Sequence, residues 1–174
     1  MTTGLYIGRF QPFHLGHLEA VNRILSHVDD VVIVVGSAQH SHTTENPFTA
    51  GERITMVRLA MREANIDPGR LLIMPLPDAE FHKVWVAHIL SQTPEFHVAF
   101  TNEPLTGRLL KEAGLRVEKL PFHHRETYTA TEVRHRMLTK GNWEELLPGS
   151  VSKYIKSIGG VERIIDLSLS DKAS

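Results

Sequence analysis

Two histidines stand three residues apart in "GRFQPFHLGH", residues 8–17, where a short apolar run gives way to a helical pattern. That spacing puts His14 and His17 on one face of a helix's first turn. Unpaired N–H groups and the positive end of the helix dipole gather there. Gly16, between the two, removes a side chain where a phosphate would approach. Arg9 adds a forked cation just after the apolar run. A lone histidine at a helix start is more often a cap than a reacting group, and Gly8 or Gly16 alone would pass for a turn glycine. Together they suit phosphate oxygens.

A second constellation follows in "RETYTATEVRHRM", residues 125–137. Thr129 and, three residues on, Glu132 form a capping box that starts a helix. Thr131 falls in its first turn, and Arg134 follows three residues later on the same side. Arg125 and Arg136 are further candidate cations. The plain alternative is a capped helix with a solvated basic face. Two anion-binding helix starts in one small chain point to a polyphosphate gripped from both sides.

Something must carry these two helix starts to one place. "GLYIG" (4–8) reads as a first strand and 15–28 as a helix, with Leu18, Val21, Leu25 and Val28 on one face. "VVIVVG" (31–36) is a continuous β-branched run of the kind that a parallel strand buried on both faces shows. Thr49 and Glu52 cap a helix through Ala64. "LLIMPL" (71–76), "HVAF" (97–100) and "LRVEKL" (115–120) complete five strands, with helices at 84–91 and at 105–114, the latter closed by Gly114. After Thr129 the chain reads helical to about Ile158, and "SLSDKAS" (168–174) reads as a frayed tail. Such alternation predicts an α/β fold: a doubly wound, parallel five-stranded sheet of Rossmann-like type with a C-terminal helical segment, as one domain over 1–174. In that architecture ligands bind beyond the carboxyl ends of the strands. The "GRFQPFHLGH" stretch sits at such an end.

Composition narrows the partners. At 174 residues and 41 % hydrophobic, the chain is long enough for a sizeable core. A net charge of −1 makes any phosphate binding local, and no aromatic-basic stripe argues for nucleic acid. The absence of cysteine removes disulfides and thiolate metal sites and fits a reducing cytoplasm. No apolar run approaches the roughly 20 residues of a membrane span, and a strand directly after Met1 is unlike a signal peptide. The expectation is a soluble, cytoplasmic protein. "HSH" (40–42) and the His123–His124 pair lack the partners of a metal cage, so no protein-bound metal is expected.

"GRFQPFHLGH" resembles the G-x-F-x-P-x-H-x-G-H signature of the nucleotidyltransferases, and "TATEVR" (129–134) is similar to their second motif, I-S-S-T-x-x-R. "GSAQHSHTTENPFTAGER" (36–53), "WVAHI" (85–89) and "GNWEELLPGSV" (141–151) narrow the likeness to the archaeal type of nicotinamide-nucleotide adenylyltransferase, over roughly residues 4–166. The resemblance implies adenylyl transfer from ATP to nicotinamide mononucleotide (NMN), giving NAD and pyrophosphate, with Mg²⁺ carried by ATP and a hexameric homo-oligomer. It implies an ATP site of Gly8, Arg9, Phe10, His14, Gly16, His17, Thr129, Thr131, Arg134 and Arg136, within which His14, His17 and Arg134 serve catalysis. Ser37, His42, Asn46, His82 and Trp85 would serve NMN, with Trp85 stacked on the pyridine ring.

The chain also departs from that pattern. Thr129 and Ala130 replace two serines, "TNEPL" (101–105) replaces "SGNPL" and adds Glu103, and His82 stands where an asparagine is usual. Two alternatives stay open. One is a related enzyme acting on another phosphorylated acceptor: the nicotinic acid mononucleotide NaMN, phosphopantetheine, FMN or a polyol phosphate. The other is a nucleotide-binding regulator without turnover.

Overall fold

The five apolar runs form five parallel strands in a computed structural model that describes residues 1–121 and 128–173. They are β1 (Thr3–Gly8), β2 (Asp30–Val35), β3 (Leu71–Pro75), β4 (Val98–Phe100) and β5 (Val117–Glu118). Between them run α1 (Leu15–Leu25), α2 (Ala50–Glu63), α3 (His82–Gln92) and α4 (Pro104–Glu112). After β5 come α5 (Ala130–Leu138), α6 (Gly149–Ser157) and α7 (Gly160–Ala173).

The sheet order is β3-β2-β1-β4-β5. The chain therefore winds outward from β1 to β3, then returns to the other side of β1 to lay down β4 and β5. β1 is central, with Gly4 opposite Val31 on one neighbour and Val98 on the other. The winding reverses between β1 and β4, and a crevice opens there beyond the strand ends.

Alternation along the strands splits the core. Tyr6, Val31, Ile33 and Val35 face one layer, where they meet Val21 and Ile24 of α1 and Met56, Val57 and Ala60 of α2. Leu5, Val32, Val34 and Ala99 face the other, against Val86 and Ile89 of α3 and Leu110 of α4. β2 is buried on both faces, as its unbroken β-branched run predicts.

The C-terminal region departs from the sequence reading. Helix does not stop near Ile158: Gly159, at φ 64°, turns the chain, and α7 continues it to Ala173, through most of the segment expected to fray. The reason lies in packing and charge. Ile164 is fully buried, and Arg163 forms a two-pronged ion pair with Glu52 at 2.7 and 2.8 Å. That ties α7 to the first turn of α2. Glu63, at the far end of α2, accepts hydrogen bonds from the first amides of α6, Gly149 and Ser150, at 3.1 and 2.6 Å.

Candidate active site

The chain leaves β1 through a tight loop before α1. Phe10 takes a left-handed backbone, φ 51°, and its buried ring lies over Gly8. A Cβ at Gly8 would come within 2.7 Å of that ring, so glycine is required by close approach. Gln11 is buried and its side chain pairs both ways with the backbone of Phe48, at 2.9 and 3.0 Å. The loop is thereby clamped to the segment that enters α2.

The two histidines are not simply neighbours on a first turn. His14 is the N-cap of α1 and His17 its third helical residue, and the two form a reciprocal capping box. The backbone N–H of His17 donates to His14 Nδ1 at 3.3 Å, and that of His14 donates to His17 Nδ1 at 3.2 Å. The rings stack with centroids 3.5 Å apart. Each Nδ1 accepts a bond, so each proton must reside on Nε2, and both rings present an Nε2–H donor. Burial keeps them neutral: it pulls His14 down to about 3, and burial with the neighbouring His14 holds His17 well below its ordinary value. A Cβ on Gly16 would stand 3.1 Å from the His14 ring and 3.1 Å from Tyr128, so that glycine keeps the stack accessible.

These rings form one wall of a cavity of about 390 Å³ at the switch point. Arg9, Phe10, Gly16 and Gln11 line the same wall, and Thr101, Asn102 and Glu103 line the β4 side. The start of α5 faces them. Thr129 caps it by accepting from the Glu132 amide at 3.0 Å, and Thr129, Ala130, Thr131 and Arg134 all border the cavity. Arg134 Nη1 donates to the Gln11 carbonyl at 2.8 Å, which bridges the two helix starts. Burial and the nearby charge of Arg9 lower the pKa of this guanidinium. The site carries cations held close together.

A second cavity, about 490 Å³, opens on the other side of Arg9. Gly8, Gly36, Ser37, Asp78, His82 and Trp85 line it, and Ile7, Arg9, Thr101 and Glu103 belong to both cavities. Ser37 donates to Asp78 at 3.1 Å, and Gln39 accepts from the Asp78 amide at 3.0 Å, so the loops after β2 and β3 are joined at its rim. Glu103 caps α4 by accepting from the Leu105 and Thr106 amides.

The structure thus brings together Gly8, Arg9, Phe10, His14, Gly16, His17, Thr129, Thr131, Arg134, Ser37, His82 and Trp85. Arg136 lies apart from them. It lines neither cavity and instead meets Glu132 at 2.8 Å, the Asn142 carbonyl at 3.0 Å and Glu145. The Glu132–Arg136 spacing of four residues was the available signal for a helix-surface ion pair. His42 and Asn46 also line neither cavity: His42 Nδ1 meets the Ser41 hydroxyl at 2.9 Å, and the Asn46 amide bonds to Thr43 at 3.0 Å. Arg125 and His123–His124 lie outside the described residues. Sequence reasoning passed over Gln11, whose isolated polar side chain gives no pattern to read. It also passed over the role of Asp78.

Comparison with known proteins follows the same lines. The cytidylyltransferase-like family matches residues 5–136. The nicotinamide-nucleotide adenylyltransferase of Saccharolobus solfataricus is 45 % identical over 99 % of this chain and 100 % of its own. That of Pyrococcus horikoshii is 46 % identical over 100 % of this chain and 93 % of its own. Among solved structures, a bifunctional NMN adenylyltransferase/ADP-ribose pyrophosphatase from Francisella tularensis, complexed with AMP and a Mn ion, superposes with a TM-score of 0.75. It is 19 % identical, and the match covers 95 % of this chain but 52 % of that one, so it speaks for the fold alone. Identity near one residue in two over the full length, on a sheet whose switch point holds both signature motifs, makes this chain a member of the nicotinamide-nucleotide adenylyltransferase family, of the archaeal type.

Proposed function

We propose that this protein transfers the adenylyl group of ATP to NMN, giving NAD and pyrophosphate, with the triphosphate in the cavity between α1 and α5 and the acceptor in the cavity beside Trp85. The observation that carries the proposal is the junction of the two cavities at Arg9, between the paired Nε2–H donors and the aromatic wall.

The acceptor's 5′-phosphate is already anionic at neutral pH, so the attack needs no general base. Its oxygen forms a bond to the α-phosphorus in line with the departing oxygen. The bond to the β-phosphate breaks with its electron pair leaving on pyrophosphate. The protein's task is alignment and charge stabilisation. His14 and His17 donate to phosphate oxygens without bringing a titrating charge, while Thr131 and Arg134 hold the β- and γ-phosphates. Arg9, common to both cavities, faces the attacking and the attacked phosphate together.

Among the described residues no group of three His, Asp or Glu side chains converges as a cation cage. In this proposal Mg²⁺ would be brought by the nucleotide to the cavity bordered by Arg9, Thr131 and Arg134, where it would supply neutralisation of the triphosphate charge. The proposal includes a homo-oligomer, hexameric by the family resemblance, for sedimentation to test.

The experiment is an incubation with ATP, Mg²⁺ and, one at a time, NMN, NaMN, phosphopantetheine, FMN and a polyol phosphate. Products are separated chromatographically and pyrophosphate is measured. NAD formed with equimolar pyrophosphate is expected from NMN. Turnover of a different acceptor with NMN inert would replace the substrate, and nucleotide binding without pyrophosphate would favour a regulator.

A further inference from the structure

One fully buried charge stands behind the wall between the two cavities and lines neither. Arg53, in the first turn of α2, has no exposed surface. Its partners are backbone carbonyls and not a carboxylate. Nη1 donates to Arg9 O at 2.8 Å and Gly36 O at 2.7 Å, Nη2 to Ser37 O at 3.1 Å, and Nε to Thr49 O at 3.2 Å. A longer contact of 3.5 Å reaches His40 O. One planar group therefore fastens the exits of β1 and β2 to the start of α2.

The carbonyls it holds belong to residues that shape the acceptor cavity. Arg9, Gly36 and Ser37 all line it. Ser37 is kept at φ 49°, a left-handed conformation unfavourable for a residue with a Cβ, and one that persists only where surroundings impose it. From that conformation its hydroxyl reaches Asp78. Burial and the adjacent charge of Arg9 draw the Arg53 guanidinium down to about 10, with Asp78 acting in the opposite sense.

We infer that Arg53 is a positioning residue for the acceptor half of the site, holding the Arg9, Gly36 and Ser37 backbones in the arrangement that receives the acceptor's phosphate and ribose. This rests on the reading of the second cavity as the acceptor's. The fixed fork is essential to the role. A guanidinium directs donors along several fixed lines at once, whereas an ammonium offers three donors from one point. The nucleotide half has further support in the histidine capping box, so the acceptor side should respond to Arg53 more strongly than the nucleotide side.

Arg53→Lys, which keeps the charge, and Arg53→Ala, assayed with low-millimolar guanidinium ion, make the test. In the lysine variant KM for NMN is expected to rise roughly tenfold or more, since a displacement near 1 Å can change rates about a hundredfold. KM for ATP should rise by a smaller factor, because of the three backbones that Arg53 holds only Arg9 also lines the first cavity, and the histidine box does not contact Arg53. In the alanine variant guanidinium ion should restore part of the NMN affinity. If the lysine variant melts earlier yet keeps both KM values and kcat, Arg53 only stabilises the fold and the inference is overturned. Should the alanine variant not fold, the lysine variant decides alone. If wild-type protein makes no NAD from ATP and NMN, it is the reading of the reaction that fails instead.

Discussion

At the scale of the residue, the histidine pair is both a helix cap and a pair of fixed donors. The amides that engage Nδ1 consume the nitrogen that would otherwise accept a proton, and burial keeps the rings uncharged. Replacing His17 by alanine should lower kcat by about 10²- to 10³-fold, as loss of a transition-state donor does, with a smaller change in KM for ATP. His14→Ala should behave alike, since it removes one ring and the cap of the other. Steady-state rates at saturating ATP check both, and near wild-type kcat would remove the histidines from the chemistry. A pH effect on stability follows with a definite sign. His14 binds a proton in the unfolded chain near 6.5 but in the folded chain only near 3. Its neutral, packed form thus stabilises fully above 6.5, and that contribution is lost progressively as pH falls towards 3. The melting temperature should drop as pH is lowered from 7 to 5, less steeply in His14→Asn, whose asparagine still caps. The sequence displayed the residue types and their spacing. Reciprocal capping was not legible there, because histidine is not among the usual N-cap residues.

At the scale of the element, the strands and the helices before β5 were read within a few residues of their ends, since periodicity and capping signals are local, whereas the stretch read as helical from Thr129 to about Ile158 is broken after Leu138 and resumes at Gly149. The α2 box of Thr49 and Glu52 is formed as its spacing predicts, with bonds of 2.9 and 3.2 Å. At α5 Thr129 caps the Glu132 amide. Arg53 was not legible in its role, because one charged residue on a helix normally reads as solvated; only tertiary carbonyls reveal otherwise. In the proposed reaction the short helix α3 carries acceptor recognition. It sets Trp85, half-buried against the second core layer, so that the indole also borders the second cavity. Trp85→Ala should raise KM for NMN between about fivefold and a hundredfold, in keeping with about 1–3 kcal/mol for aromatic-base stacking, and leave KM for ATP nearly unchanged. Titration calorimetry with each nucleotide checks this. Loss of soluble protein on that substitution would mark the tryptophan as core alone.

At the scale of the whole molecule, a doubly wound sheet was expected from strand–helix alternation, whereas the junction of two cavities at Arg9 depends on tertiary placement. No helix among the described residues is long and apolar enough to cross a membrane. The two halves of the winding supply different walls. Residues 36–85, from the β2 side, form the largest share of the second cavity's lining, with Thr101, Glu103, Leu105, Thr106 and Leu109 from the β4 side, while 101–134 join the β1–α1 turn in enclosing the first. In the proposed reaction the β2 side would serve the acceptor alone, and the β4 side would border both donor and acceptor, with β1 as their common line. Grafting 36–85 from a relative that prefers another pyridine nucleotide should transplant that preference while ATP consumption kinetics stay put. Measured kcat/KM for NMN and NaMN in such a chimera would follow the graft's parent, and a preference that stayed with the host would show the halves to be inseparable. A graft that carried its preference would make the β2 side an exchangeable cartridge beside a fixed socket, a layout in which new acceptors could be taken on without rebuilding the histidine box.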